Sequence, residues 1–97
     1  MPANALVLSA TLAAAESVRY TPAGLPALNV QLEHSSELTE AGVARQVKVT
    51  LKAVALGTLA ERLAKQEIGS VWRFSGFVAN TRQGKSVVFH ILDFSQD

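Results

Sequence analysis

The sequence predicts a mainly β domain, a five-stranded barrel with one short helix between its third and fourth strands. Apolar and polar residues alternate with a period of two over five separate segments. Only one stretch has helical spacing. The gaps between the segments carry Pro, Gly or polar, acidic residues, which are the punctuation of turns and loops.

In chain order, Leu6, Leu8, Ala10 and Leu12 alternate with Val7, Ser9 and Thr11, giving a first strand with one apolar face. It runs into Ala13-Ala14-Ala15, which suits strand or a short helix on propensity alone. Thr21-Pro22-Ala23-Gly24-Leu25-Pro26 is a turn, because Pro presets φ and Gly permits positive φ. Leu28, Val30 and Leu32 alternate with Asn29, Gln31 and Glu33 in a second strand, which makes a hairpin with the first. Residues 35–42, polar and acidic, predict a loop.

The third strand, residues 46–54, is the most regular. Val47, Val49, Leu51 and Ala53 face one way and are assigned to the barrel core; Lys48, Thr50 and Lys52 face the other. Residues 57–69 predict the helix. Thr58 is placed to cap it with Glu61 three residues on, Leu59 and Leu63 share a face, and Gly69 is placed to end it. In a fourth strand, residues 71–79, Trp72, Phe74 and Val78 alternate with Arg73, Ser75 and Phe77. Residues 81–85 form a polar, glycine-containing hairpin loop, and residues 86–94 a fifth strand. This order is that of an OB-fold, whose partly open barrel binds ligands on the face of strands two and three, between two hairpin loops. Residues 1–97 read as one such domain.

Hydrophobic residues make up 48% of the 97, enough for a core, while the small size favours dimerisation. Nine Lys and Arg against eight Asp and Glu give a net charge of +1, so a case for nucleic acid rests on where the cations gather. The absence of cysteine removes a disulfide framework, a thiolate nucleophile and a cysteine zinc site together. His34 and His90 are distant in sequence and read as hydrogen-bonded structural residues. No carboxylates pair with a nucleophile or a glycine-rich phosphate loop, so the expectation is no enzyme, no metal and no cofactor. The N-terminus lacks a basic leader and no apolar run approaches the ~18 residues of a spanning helix, so a soluble cytoplasmic protein without a membrane partner is expected.

Several short words in order, Asn4-Ala5-Leu6-Val7-Leu8-Ser9, Leu32-Glu33-His34-Ser35, Ala41-Gly42, Arg45-Gln46, Gly69-Ser70 and Ser75-Gly76-Phe77, fall at informative spacings. Together the chain resembles the primosomal replication protein N family, which is similar to bacterial single-stranded DNA-binding proteins. The resemblance implies a homodimeric OB-fold that binds single-stranded DNA. It further implies work with the restart helicase and another primosome protein to reload the replicative helicase at stalled forks. Family members can carry aromatics in the loop before strand three and on its exposed face. Here Val43 and Lys48 stand there. Base–aromatic stacking contributes ~1–3 kcal/mol per base, so its loss shifts the expected binding toward charge.

With that resemblance, Lys48 and Lys52 read as phosphate contacts. Arg45 precedes their strand, Arg19 and Tyr20 lie in the first hairpin, and Arg82 and Lys85 flank the last. These cations are expected to converge on one groove, with Glu37, Glu40, Glu61 and Glu67 in segments that need not border it. Tyr20 reads either as a base-stacking residue or as a cover for the barrel end. Phe77, on the outward face of strand four, reads as a stacking residue, a packing residue or a dimer contact. Trp72 and Phe74 belong to the core. Residues 6–11 are the candidate dimer strand. Two alternatives stay open: a protein-interaction module that docks the restart helicase with little DNA contact, and an RNA-binding OB-fold.

Overall fold

The alternation at the start of the chain becomes β1 (Leu6–Ala15), and this strand closes the sheet on itself. The computed structural model describes residues 3–96; Met1, Pro2 and Asp97, the ends of the single-domain reading and the first residues of the N-terminal one, lie outside it. β1 pairs with β5 (Val71–Asn80) from Leu6 to Thr11, and with β3 (Pro26–Glu40) from Thr11 to Ala15. β4 (Val43–Leu56) and β6 (Val87–Ser95) complete the ring β1-β5-β6-β4-β3, with β3 returning to β1. β4 and β6 run parallel and the other neighbours antiparallel. α1 (Thr58–Ala64) lies between β4 and β5, and the two-residue β2 (Arg19–Tyr20) pairs with the start of β3. The fold is the predicted five-stranded OB barrel with one short helix among the described residues. The alanine run that suited strand or helix is strand, with a bulge between Leu12 and Ala14.

Leu12, Leu28, Leu32, Leu63, Phe74 and Phe89 are fully buried. Each such side chain contributes about 1.5–3 kcal/mol by leaving water. Ala60 and Leu63 of α1 join this core cluster, and Trp72 packs against it. Trp72 meets Phe94 edge-on at 5.1 Å, and its indole N–H donates to the Ser70 hydroxyl at 2.8 Å. β5 and β6 approach closely at a bulge beside Gly76, where a Cβ would lie 1.9 Å from the His90 carbonyl oxygen.

The helix is shorter than residues 57–69, and Thr58 does not cap it. Gly57 (φ 72) occupies the N-cap, and its carbonyl accepts from the Ala60 and Glu61 N–H groups, with no side-chain cap bond. Gly69 does not end the helix either. Its N–H donates to the Leu12 carbonyl at 2.7 Å, and the Leu12 N–H donates to the Ser70 carbonyl at 2.8 Å. The segment after Ala64 is thus held by β1, and a residue bonded to a strand cannot also propagate a helix.

Residues 35–42, predicted as a loop, instead continue two strands to a tight turn. β3 and β4 pair without a bulge from Ala27 with Leu56 to Glu40 with Val43. Ala41 (φ 51) and Gly42 (φ 77) both lie in the left-handed region that a two-residue type I′ hairpin requires. Composition misled because this part of the hairpin leaves the barrel. β1 pairs with β3 only as far as Glu33, and β6 with β4 only from Ala53, so neither face of the outer hairpin has to enter a core. The resulting arm is about 20 Å long, and it stretches the molecule to 50 × 33 × 24 Å.

The same departure corrects the assignment of Val47, Val49, Leu51 and Ala53 to the core. Ala53 is buried and Leu51 half-buried, but Val47 and Val49 lie out on the arm, Val49 being 38% exposed. His34 fastens the arm's base. Its Nδ1–H donates to the Ser9 carbonyl of β1 at 2.5 Å, and Nε2 accepts from the Ser36 hydroxyl at 2.9 Å. The structural reading of His34 holds.

Gly76→Ala is expected to cost about 1–3 kcal/mol as the β5–β6 approach is forced apart, read as a lower thermal midpoint. Replacing His34 by Ala removes both bonds at the arm's base, at about 1–2 kcal/mol. Hydrogen exchange should then quicken at residues 34–40 and 43–49 more than in the barrel; equal protection in both regions would refute the anchoring role.

Candidate nucleic-acid interface

A groove of about 420 Å³ crosses the outer side of β3 and β4. Its floor and one wall come from Asn29, Val30, Gln31, Lys52 and Ala53, and its other walls from Ala14, Ala15 and Glu16 at the end of β1 and from Thr81, Val87 and Val88 at the base of the β5–β6 hairpin. The lining combines one ammonium, two side-chain amides, a hydroxyl and small apolar groups. Such a mixture suits a phosphate, the edges of a base and a sugar respectively. Glu16 is the one acid in the lining.

The strand period and the hairpins bring part of the predicted set here. Lys52 lines the groove itself. Arg19, on β2, reaches it through Asn29, to whose Oδ1 its Nη2–H donates at 3.3 Å. Arg82 and Lys85 are exposed in the β5–β6 loop, closed by the Thr81 N–H donating to the Ser86 carbonyl at 2.8 Å. The base of that loop is a groove wall. Tyr20, beside Arg19, is 70% exposed, with its ring open to solvent.

Other residues fall elsewhere. Lys48 shares the outward face with Lys52 but lies four residues nearer the hairpin turn, opposite Ser35, out on the arm. Arg45 is on the opposite face, because it has the parity of Val47 and Val49, and it forms an ion pair with Glu40. The convergence expected of Arg45 is therefore corrected by the parity of its position. Phe77 is half-buried on β5, outside the groove lining, with its ring stacked on His90 at 4.8 Å and 4°. Glu37, read from the sequence as lying in a segment that need not border the groove, shares the face of the lysines opposite Gln46, and Glu33 does so opposite Thr50. The groove residues that sequence reasoning missed are Asn29, Gln31, Glu16 and Thr81. A two-residue turn at Ala41-Gly42 would have found the pairing of Gln31 with Lys52, since register is counted outward from the turn. Among the described residues, no three His, Asp or Glu side chains gather as a metal site.

Known proteins share this architecture. Residues 4–93 match the family described as another single-strand binding protein family. Replication restart protein PriB of Bordetella pertussis is 48% identical over 80 residues, covering 82% of this chain and 75% of that protein. PriB of Nitrosomonas europaea is 34% identical over 91 residues, covering 93% and 84%. The structure of PriB from Ralstonia solanacearum superposes with a TM-score of 0.89 at 40% identity over 98% of each chain. The wild-type single-stranded DNA binding protein from Thermus aquaticus superposes with a TM-score of 0.77 at 27% identity, covering 96% of this chain and 49% of that one. With a match over nearly its whole length and relatives at this identity, the chain belongs to the PriB family of replication restart proteins, built on the single-strand binding fold.

Proposed function

We propose that this chain is a cytoplasmic single-stranded DNA-binding accessory of the replication-restart primosome, acting with the restart helicase when the replicative helicase is reloaded at stalled forks. The observation that carries this is the groove. Lys52, Asn29 and Gln31 line it, Arg19 bonds to Asn29, and Arg82 and Lys85 belong to the loop whose base at Thr81 and Val87 is one wall, in a chain whose relatives are named replication restart proteins. The lysine and arginines neutralise phosphates and the amides hydrogen-bond to exposed bases. The task is binding, with no catalysis, metal or cofactor.

A homodimer is part of the proposal. The edge of β1 that pairs with β3 from Thr11 onward has no strand partner among the described residues from Leu6 to Ala10, and Val7 there is 54% exposed. An open strand edge is a template for pairing with a second copy. A second reading, docking of the restart helicase with little DNA contact, draws on the arm: Leu38 and Val43 on one face are 58% and 61% exposed, and the other face mixes acids with lysines.

Titration of labelled oligo-dT at several salt concentrations is expected to show affinity falling with salt, each phosphate contact adding roughly −0.7 to the slope of log K against log salt. Lys52→Ala, Arg82→Ala and Lys85→Ala should each weaken binding and flatten that slope, while Arg45→Ala leaves it unchanged. Binding that is absent at low salt, or indifferent to salt, overturns the DNA reading. Charge reversal of Lys48 and Lys52 separates the two readings: loss of helicase binding with DNA binding retained selects docking. Light scattering is expected to return twice the mass of one chain, and a single-chain mass refutes the dimer.

A further inference from the structure

The outer face of the β3–β4 hairpin carries its charges in strict alternation. Directly opposed residues share a face, so successive rows from the barrel outward are Gln31 with Lys52, Glu33 with Thr50, Ser35 with Lys48, and Glu37 with Gln46. Each row holds one charge, and the signs run plus, minus, plus, minus. All these side chains are exposed. Rows are about 7 Å apart, which places Lys48 about 13 Å beyond Lys52 with Glu33 between them. Among the described residues, none of the four charges is tied up in an ion pair. The ion pair that forms among the described residues, Arg45 with Glu40, belongs to the other face.

This arrangement does not serve as a continuous phosphate track. A strand leaving Lys52 for Lys48 must pass a carboxylate on the way. A unit charge about 7 Å from a phosphate in water changes a binding constant by roughly two- to threefold, and screening at 0.1 M salt, where the Debye length is about 10 Å, roughly halves the underlying energy. With a phosphate on either side of Glu33, the effect at low salt is about fivefold.

We propose that Glu33, supported by Glu37, determines how far single-stranded DNA extends along this protein. Its carboxylate repels the strand between the two lysines, confines it to the groove at Lys52, and leaves Lys48 without a phosphate. The footprint is short and the grip weak because of an acid inside the basic face. This rests on the DNA-binding reading above and concerns where that binding stops.

The test compares Glu33→Gln, Glu33→Lys and the Glu33→Gln/Glu37→Gln pair with the parent, using oligo-dT of increasing length at several salt concentrations. Glu33 is exposed, so the isosteric Gln keeps the fold. At low salt Glu33→Gln is expected to tighten binding of long oligomers two- to fivefold, and Glu33→Lys more. The salt slope should steepen by about 0.7 as Lys48 gains a phosphate, and the shortest oligomer that binds with full affinity should lengthen. Glu61→Gln, on the exposed surface of α1, removes the same charge and is expected to change nothing. Tightening by Glu61→Gln equal to that by Glu33→Gln would make the effect one of net charge and overturn the proposal. Unchanged affinity, slope and length in Glu33→Gln, with binding still weakened by Lys52→Gln, overturns the proposal and leaves the DNA reading standing. If Lys52→Gln also has no effect, the DNA reading itself fails.

Discussion

The unbroken register between β3 and β4 is the constraint from which the rest of the surface follows. Side chains alternate across a strand, so a pairing with no bulge keeps every residue on one side of the hairpin from barrel to tip. Lys52, Lys48, Gln31 and Glu33 are thereby committed to the outer face. Val47, Val49, Leu38 and Arg45 are committed to the other. A bulge in β4 between Arg45 and Lys48 would have moved Arg45 across to the face of the lysines. Bulges are present elsewhere, in β1 after Leu12 and in β6 at Leu92, opposite Ser75 and Gly76 of β5.

Closure and the arm are two consequences of one division of labour in β1. Its first half is spent on β5 and its second on β3, so β3 loses its neighbour beyond Glu33 and runs free with β4 alone. A free two-stranded ribbon has little core of its own. His34, bonded to the Ser9 carbonyl, ties it to the barrel at the point where the β1 ladder ends. The backbone of Leu12 also holds Gly69 and Ser70, which fixes where the segment after α1 enters β5. One strand therefore sets the groove wall at Ala14 to Glu16, the root of the arm and the end of the helix.

Charge on this protein is a matter of placement. A total of +1 conceals a groove lined by Lys52, with Arg19 bonded to its Asn29, and a hairpin face on which acids and lysines take turns. Arg45 is drawn off by Glu40 on the far side. Lys48, standing where family members can carry an aromatic, would supply charge without a stacking surface, and Glu33 beside it offsets much of that charge. Long-range attraction between exposed charges fades within about 10 Å at 0.1 M salt, so local order along the face governs more than the sum.

Much of the barrel was legible in the sequence, because a half-buried strand must alternate and a turn must use residues suited to its backbone. The five strands, the one helix, the core positions of Phe74 and Leu12 and the outward direction of Lys48 and Lys52 all followed from period and turn chemistry, and the family words added the single-strand binding fold. Residues 35–42 were illegible as strand, since a ribbon outside the core needs no apolar alternation. The cap at Gly57 and the early end of α1 were illegible because tertiary hydrogen bonds, from the Gly57 N–H to Pro26 of β3 and from the Gly69 N–H to Leu12 of β1, outweigh local helix signals. Which side chains share a surface was decided by the tertiary structure alone. Parity along one strand says which residues are on the same side, but only register between strands says what stands opposite. That register placed Glu33 between two lysines.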